Sequence, residues 1–259
     1  MILDEIAEYT KERVRALKAH KSLYAVRDEA EGRPQGKDFK AALAAPGLSV
    51  IAELKKASPS KGVIAPDFTD IYLRKAAEYE VGGAAAISCL TEPKFFQGSD
   101  AYLQAVRQRV ELPILRKDFT LDEYQIYEAK CIGADAVLLI CSLLSAAQLG
   151  EYLAQAQELG LSALVEAHTA AEVQQALAAG AEIIGVNNRN LKDFSVNPVN
   201  SLRLRDAIPA SKIFVAESGI QCAADTQALK QAGVQAVLVG EALMRSADAA
   251  AMLKEMRDA

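Results

Sequence analysis

Eight short apolar runs, each closed by polar residues and followed by a stretch of helical character, constrain this chain more than any other feature. They are Leu48–Leu54, Ala84–Leu90, Pro113–Leu115, Ala136–Ile140, Ala163–Val165, Ile183–Val186, Ile213–Ala216 and Ala236–Val239. A run that is apolar almost throughout reads as a strand covered on both faces, which is the environment of a parallel sheet. Helix starts are written between the runs. Thr120 stands three residues before Glu123, Ser145 before Gln148 and Thr169 before Glu172. Each spacing lets a side-chain oxygen take up an unpaired N–H of a first helical turn. Gly82, Gly133, Gly180 and Gly233 precede strands by a few residues, where a left-handed glycine ends a helix. Four segments, GGAAAIS, GADAVLL, GAEIIGV and GVQAVLV, echo one another about every 50 residues, two strand–helix units each time. The echo favours a closed ring over an open doubly wound sheet. The expected fold class is α/β, a single (β/α)8 TIM barrel.

The length of 259 residues suits one such barrel. Aromatics are only 6% and there is no Trp, which favours Ala-rich helices on a Val/Ile/Leu sheet over a β-sandwich. Residues 1–46 break the strand–helix grammar. They read as one or two polar helices and a loop, Glu31–Lys37, too small for a domain of their own. We expect an N-terminal helical extension that packs on the barrel of residues 47–259 or caps its mouth. No low-complexity linker divides the chain, so residues 1–259 read as one domain.

A net charge of −5 without a long basic run excludes general nucleic-acid binding, while a few placed cations can still hold a small anionic substrate. Cys89, Cys131, Cys141 and Cys222 show no CxxC spacing and read as small core residues in a reducing cytosol. With only His20 and His168, a His-rich zinc site is excluded. The acidic start, MILDEIAEYTKERV, has no apolar core of a signal peptide. The longest uncharged stretch, Ala136–Gly150, is too short to span a bilayer. These features point to a soluble cytoplasmic protein, a monomer or weak homo-oligomer, with a small molecule as partner and neither nucleic acid nor membrane.

In such barrels the chemistry sits at the C-terminal strand ends. Here those ends read Glu53-Leu54-Lys55, Arg116-Lys117-Asp118-Phe119, Glu166-Ala167-His168, Asn187-Asn188-Arg189, Glu217-Ser218-Gly219 and Gly240-Glu241. Charges placed directly after apolar runs are costly unless paired or used. So many on one rim suggest a polar pocket where cations face carboxylates. The small residues after the last two strands let backbone N–H groups approach a phosphate, as in the usual barrel phosphate site.

Several blocks then carry a family resemblance: Val50–Gly62 (VIAELKKASPSKG), Leu90–Ser99 (LTEPKFFQGS), Pro113–Phe119 (PILRKDF), Gly185–Leu191 (GVNNRNL), Ala216–Ile220 (AESGI) and Leu238–Met244 (LVGEALM). In this order they resemble the indole-3-glycerol-phosphate synthases over nearly the whole barrel. The resemblance implies the helical extension, and it implies a reaction without cofactor or metal. The substrate would be 1-(2-carboxyphenylamino)-1-deoxyribulose 5-phosphate, which closes a ring and loses carbon dioxide and water. Lys117 is then the acid at the ketone oxygen, with Lys55 and Arg116 as neighbouring cations that would lower its pKa. Glu166 is the second acid–base group and Glu53 a further carboxylate. Glu53 and Asn187 position the substrate, and which carboxylate makes which transfer stays open.

The same resemblance gives the phosphate to Lys55 and the backbone of Gly219, Gly240 and Glu241. Some relatives carry Ser in place of Glu241, so its carboxylate should point away. Phe96, Phe119 and Leu138 would wall the anthranilate ring, Ser58 and Arg189 would stand at the polar rim, and Glu217 and Ser218 would also bind substrate. His168 reads as a solvated residue or one behind the site, and Lys61 and Lys94 as loop charges. Two alternatives remain at this point: a Schiff-base aldolase with Lys117 as nucleophile, and a phosphosugar-binding module without activity.

Overall fold

In the computed structural model, which describes residues 2–190 and 194–259, eight parallel strands close into a barrel. Leu191 of the resemblance block lies outside the described residues. In chain order the strands are β1 (Ser49–Leu54), β2 (Ala86–Leu90), β3 (Ile114–Lys117), β4 (Ala136–Ile140), β5 (Ser162–Ala167), β6 (Ile183–Asn187), β7 (Ile213–Glu217) and β8 (Ala236–Val239). Each pairs with its sequence neighbours, and β8 closes the ring on β1 with Ser49 opposite Ala236. Helices α1 (Ile2–His20), α2 (Leu23–Glu31) and α3 (Phe39–Leu43) precede β1. The outer layer is α4 (Phe68–Val81), α5 (Asp100–Arg109), α6 (Glu123–Cys131), α7 (Ala146–Glu158), α8 (Ala170–Ala178), α9 (Val199–Leu204), α10 (Ala223–Gln231), α11 (Glu241–Arg245) and α12 (Ala249–Asp258).

Because strand side chains alternate between faces, the continuous apolar runs feed two cores. Ile51, Ala86, Leu115, Leu138, Leu164, Ile183, Val215 and Leu238 fill the barrel interior. Their neighbours Val50, Ile87, Ile114, Val137, Val165, Ile184, Phe214 and Val237 pack outward against the helices. Four strands outrun their apolar stretches and take in Lys117, Glu166, Asn187 and Glu217. Pairing continues there, with Leu90 opposite Lys117 and Asn187 opposite Glu217. Polarity ends the sequence pattern earlier than hydrogen bonding ends the strand.

The helix signals are borne out in part. The Ser145 box forms in both directions, Gln148 N donating to Ser145 Oγ and Ser145 N to Gln148 Oε1. Thr169 caps α8 through Glu172 N, but the Glu172 carboxylate turns back to the N–H of His168. Thr120 does not cap α6: the N-cap is Asp122, two residues later, whose carboxylate takes Tyr124 N. The left-handed residue after α4 is Gly83 (φ +78°), since Gly82 keeps a right-handed conformation at φ −71°.

The N-terminal extension does more than cap. Phe39 and Leu43 of α3 enter the interior core and close the floor, where Ser49 Oγ donates to Leu43 O at 3.2 Å. Helix α1 lies at the opposite end, beside the mouth. There Tyr9 meets Phe95 edge-on at 6.1 Å and Arg13 pairs with Asp118, just beyond β3, at 2.7 Å. Between them, α2 packs Val26 and Ala30 on Tyr124 and Tyr127 of α6. All four cysteines are free, but Cys222 is exposed rather than in the core, because it is the N-cap residue of α10. No helix among the described residues is long and apolar enough to cross a membrane.

Candidate active site

The C-terminal strand ends open into a cavity of about 920 Å3. Every candidate residue lines it: Glu53, Lys55 and Ser58 from the first strand and its loop, Phe96, Lys117 and Phe119 from the second and third units, Leu138, Glu166, Asn187 and Arg189 from the middle units, and Glu217, Ser218, Gly219, Gly240 and Glu241 from the last two. Glu53, Lys117, Glu166, Asn187 and Glu217 all sit on the inward register that continues the interior core, so the strands themselves carry the central charged groups.

Lys117 sits among carboxylates, not cations. Its Nζ is 3.3 Å from Glu217 Oε2 and 3.7 Å from Glu166 Oε2. Burial works to lower its pKa, but Glu217, Glu166 and Glu53 outweigh burial and hold it above the usual lysine range. This overturns the expected lowering. Lys55 is taken by Glu53 at 2.7 Å. Arg116, one residue before Lys117, points the opposite way. It is buried outside the barrel between Asp100 and Glu128, at 2.8 and 2.7 Å, and is no neighbour of the site.

The carboxylates differ. Glu53 is held below the ordinary range: burial raises its pKa, yet Lys55 and Lys117 prevail, and Ser88 Oγ donates to its Oε2 at 3.2 Å. Glu217 goes the other way, to about 7, chiefly because burial penalises its charge and because Glu166 and Glu53 lie close, with Lys117 opposing. Neither of its carboxylate oxygens accepts a hydrogen bond. Glu166 Oε1 accepts from Asn187 Nδ2 at 3.2 Å, and Asn187 Oδ1 in turn accepts Arg189 N at 2.9 Å.

The surrounding loops are built to hold their shape. Ala57–Ser58 and Gly62–Val63 form a short antiparallel hairpin that brings Ser58 and Lys61 to the rim. In the loop after β2, the fully buried Glu92 accepts the N–H groups of Lys94, Phe95 and Phe96. That loop sets Phe96 5.9 Å from Phe119, ring to ring, and lays the Lys94 ammonium over Tyr9 and Phe95. The Arg189 guanidinium donates to Phe194 O at 3.0 Å and so ties its own loop. Ser218 (φ +67°) and Gly219 (φ +80°) both take positive φ directly after β7 and line the cavity. A side chain on Gly240 would meet Glu53 Oε1 at 2.6 Å and Lys55 Nζ at 3.0 Å, so a bare backbone there is what leaves room for that pair. The Glu241 carboxylate accepts from Arg245 Nε at 3.2 Å.

A family model described as indole-3-glycerol phosphate synthase matches residues 3–256. The chain belongs to the indole-3-glycerol phosphate synthase family. A relative of that name from Endomicrobium trichonymphae is 53% identical over 260 residues, covering 100% of each chain. Another, from Ruminiclostridium cellulolyticum, is 53% identical over 259 residues, covering 99% of each. Among solved structures the likeness is one of fold. A 3-hexulose-6-phosphate synthase aligns with TM-score 0.63 at 20% identity over 82% of this chain and 99% of its own. Its counterpart from Salmonella typhimurium aligns with TM-score 0.65 at 15% identity, over 82% and 97%.

For a member of the indole-3-glycerol phosphate synthase family, the sequence reading missed two supports of the site. Ser88 faces Glu53 across β1 and β2, and only the strand register reveals it. Glu92 lies in a mixed polar and aromatic loop, where nothing in the sequence marks it as the buried acceptor of three backbone N–H groups. His168, read as solvated or standing behind the site, takes the second of these places, 3.5 Å from Glu166 Oε1 and largely buried.

Proposed function

We propose that this mouth carries out the family's reaction, conversion of 1-(2-carboxyphenylamino)-1-deoxyribulose 5-phosphate to indole-3-glycerol phosphate, carbon dioxide and water. The observation that carries the reading is the convergence of Lys117, Glu166, Glu217 and the Glu53–Lys55 pair on one end of a closed barrel. The ring carbon bearing the carboxylate attacks the ketone carbon, and the ketone oxygen takes a proton from Lys117. A firmly held ammonium suits this step, because the developing alkoxide is a stronger base than an amine and the charge is stabilised before transfer. The bond to the carboxylate then breaks and its electron pair restores the aromatic ring. The new hydroxyl leaves as water with a proton from an acid. Loss of a proton from the carbon beside nitrogen forms the second double bond of the new ring. Glu166 serves this last exchange, and Glu53, kept ionised, holds Lys55 toward the phosphate.

The phosphate is assigned to Lys55 and the N–H groups of Gly219, Gly240 and Glu241, with Ser218 and Glu217 beside the sugar. Phe96, Phe119 and Leu138 would wall the aromatic ring, with Ser58 and Arg189 at the rim and Asn187 holding Glu166. We treat residues 1–259 as one domain and place the protein in the cytoplasm, consistent with its free cysteines.

Indole fluorescence after adding the carboxyphenylamino sugar phosphate tests the activity directly. Lys117→Met is expected to lower turnover about 10²-fold or more with the fold intact, the range for loss of a general acid. Near-wild-type turnover would remove Lys117 from that role. A borohydride-trapped adduct at Lys117 would instead favour the aldolase alternative.

A further inference from the structure

Glu166 has a neighbour that neither ring closure nor phosphate binding uses. His168 follows it by two residues, so its ring turns to the same side of the sheet. Nε2 lies 3.5 Å from Glu166 Oε1, and Nδ1 lies 3.5 Å from Glu172 Oε2. Glu172 is itself fixed: its Oε2 accepts the backbone N–H of His168 at 2.5 Å, and its own N–H donates to Thr169 Oγ1 at 3.2 Å. Asn200 Nδ2 donates to the His168 carbonyl at 3.2 Å. The imidazole is largely buried, with 16% of the side chain exposed.

Each ring nitrogen therefore faces a carboxylate at ion-pair distance, and the buried Nε2 has no hydrogen-bond partner of its own. A neutral imidazole has one N–H and one lone pair, so it would turn the lone pair on one anion. The imidazolium presents an N–H and a positive charge to both. The charged groups facing the ring are Glu166 at the end of β5, Glu172 from α8 and Glu217 from β7. Lys117 stands on the far side of Glu166, 3.7 Å from Oε2. Burial works against the charged ring, but Glu172, Glu166 and Glu217 outweigh it, and the ring's pKa lies above its ordinary value.

We propose that His168 is a positioning residue: as an imidazolium braced by Glu172, it anchors Oε1 of Glu166 together with Asn187 and leaves Oε2 aimed at Lys117 and the substrate. This rests on the assignment of Glu166 to the proton step. As pH rises and His168 loses its proton, Glu166 loses one of its two anchors and turnover falls.

NMR titration of the full-length protein tests the charge. The chain has only two histidines, so the His168 signals are assigned by their loss in His168→Gln. Their midpoint is expected above about 6.5, the ordinary histidine value, and Glu172→Gln should move it down. In kinetics, His168→Gln is expected to lower kcat about tenfold with little change in KM, the scale of one hydrogen bond to a charged group. The alkaline limb set by His168 should disappear in that variant and move to lower pH in Glu172→Gln. If His168→Gln does not fold, Glu172→Gln carries both readouts. A His168 midpoint at or below about 6.5, or an unchanged pH profile in the variants, overturns the proposal. Glu166→Gln separates the layers: its loss of turnover beside an unaffected His168→Gln overturns only the positioning role, whereas full turnover in Glu166→Gln overturns the assignment beneath it.

Discussion

Glu217 is the residue whose charge the fold tolerates least. It is buried, its carboxylate oxygens accept no hydrogen bond, and it shares Lys117 with Glu166. Its pKa is raised from the ordinary carboxyl value of 4.5 to about 7, so across that window the folded protein binds more protons than the unfolded chain. Stability then falls as pH rises through the window. Glu217→Gln removes this dependence. We predict that the variant gains stability relative to wild type on going from pH 5 to pH 8, by up to about 3 kcal/mol, from the size of one pKa unit in free energy. Urea denaturation at the two pH values measures it, and an equal gap at both would show that Glu217 does not titrate there. The residue identities at this rim were legible from the strand ends. Their protonation was not. The sequence shows Lys117 beside Arg116 and suggests a cationic surrounding, but adjacent strand residues face opposite sides, and the three carboxylates that govern Lys117 come from 49 to 100 residues away in the chain.

At the scale of elements, the missing side chain of Gly185 in β6 matters as much as the charges around it. A Cβ there would collide with Glu217 Oε1 and come within 3.2 Å of Leu164 Cδ1. Gly185 therefore makes the space in which the β7 carboxylate reaches Lys117. Gly185→Ala is predicted to displace Glu217 and cut turnover by about 10²-fold, the cost of misplacing a reacting group by about 1 Å. Steady-state assays with circular dichroism as a fold control check this, and unimpaired turnover would mean that the placement of Glu217 is not critical. The strands themselves were readable because burial on both faces forces continuous apolar runs. Their last residues were not, because polarity marks the mouth while pairing continues into it. Thr120 was misread for a related reason: its spacing to Glu123 is that of a capping box, but Asp122 offers a competing carboxylate nearer the helix.

Across the whole molecule, residues 2–43 tie the two ends of the barrel together. Phe39 and Leu43 close the floor, and Arg13 grips Asp118 beside the strand end that carries Lys117. Phe39 is fully buried, so Phe39→Ala is predicted to cost about 3–5 kcal/mol of unfolding free energy, the range for emptying a large aromatic site. It should leave KM near wild type, since the floor lies far from the mouth. Chemical denaturation paired with kinetics reads both, and a loss of stability well under 1 kcal/mol would show that the floor is not a packed layer. The sequence by itself determined the alternation of strands and helices, the closed ring and the identity of the polar residues at its rim. Those follow from local periodicity and from the penalty for burying charge. Tertiary structure alone decided which charges meet: that Arg116 turns outward, that Lys117 is ringed by carboxylates, and that His168 stands between Glu166 and Glu172. Register and closure bring together residues distant in the chain, and the energy of a buried charge depends on those neighbours.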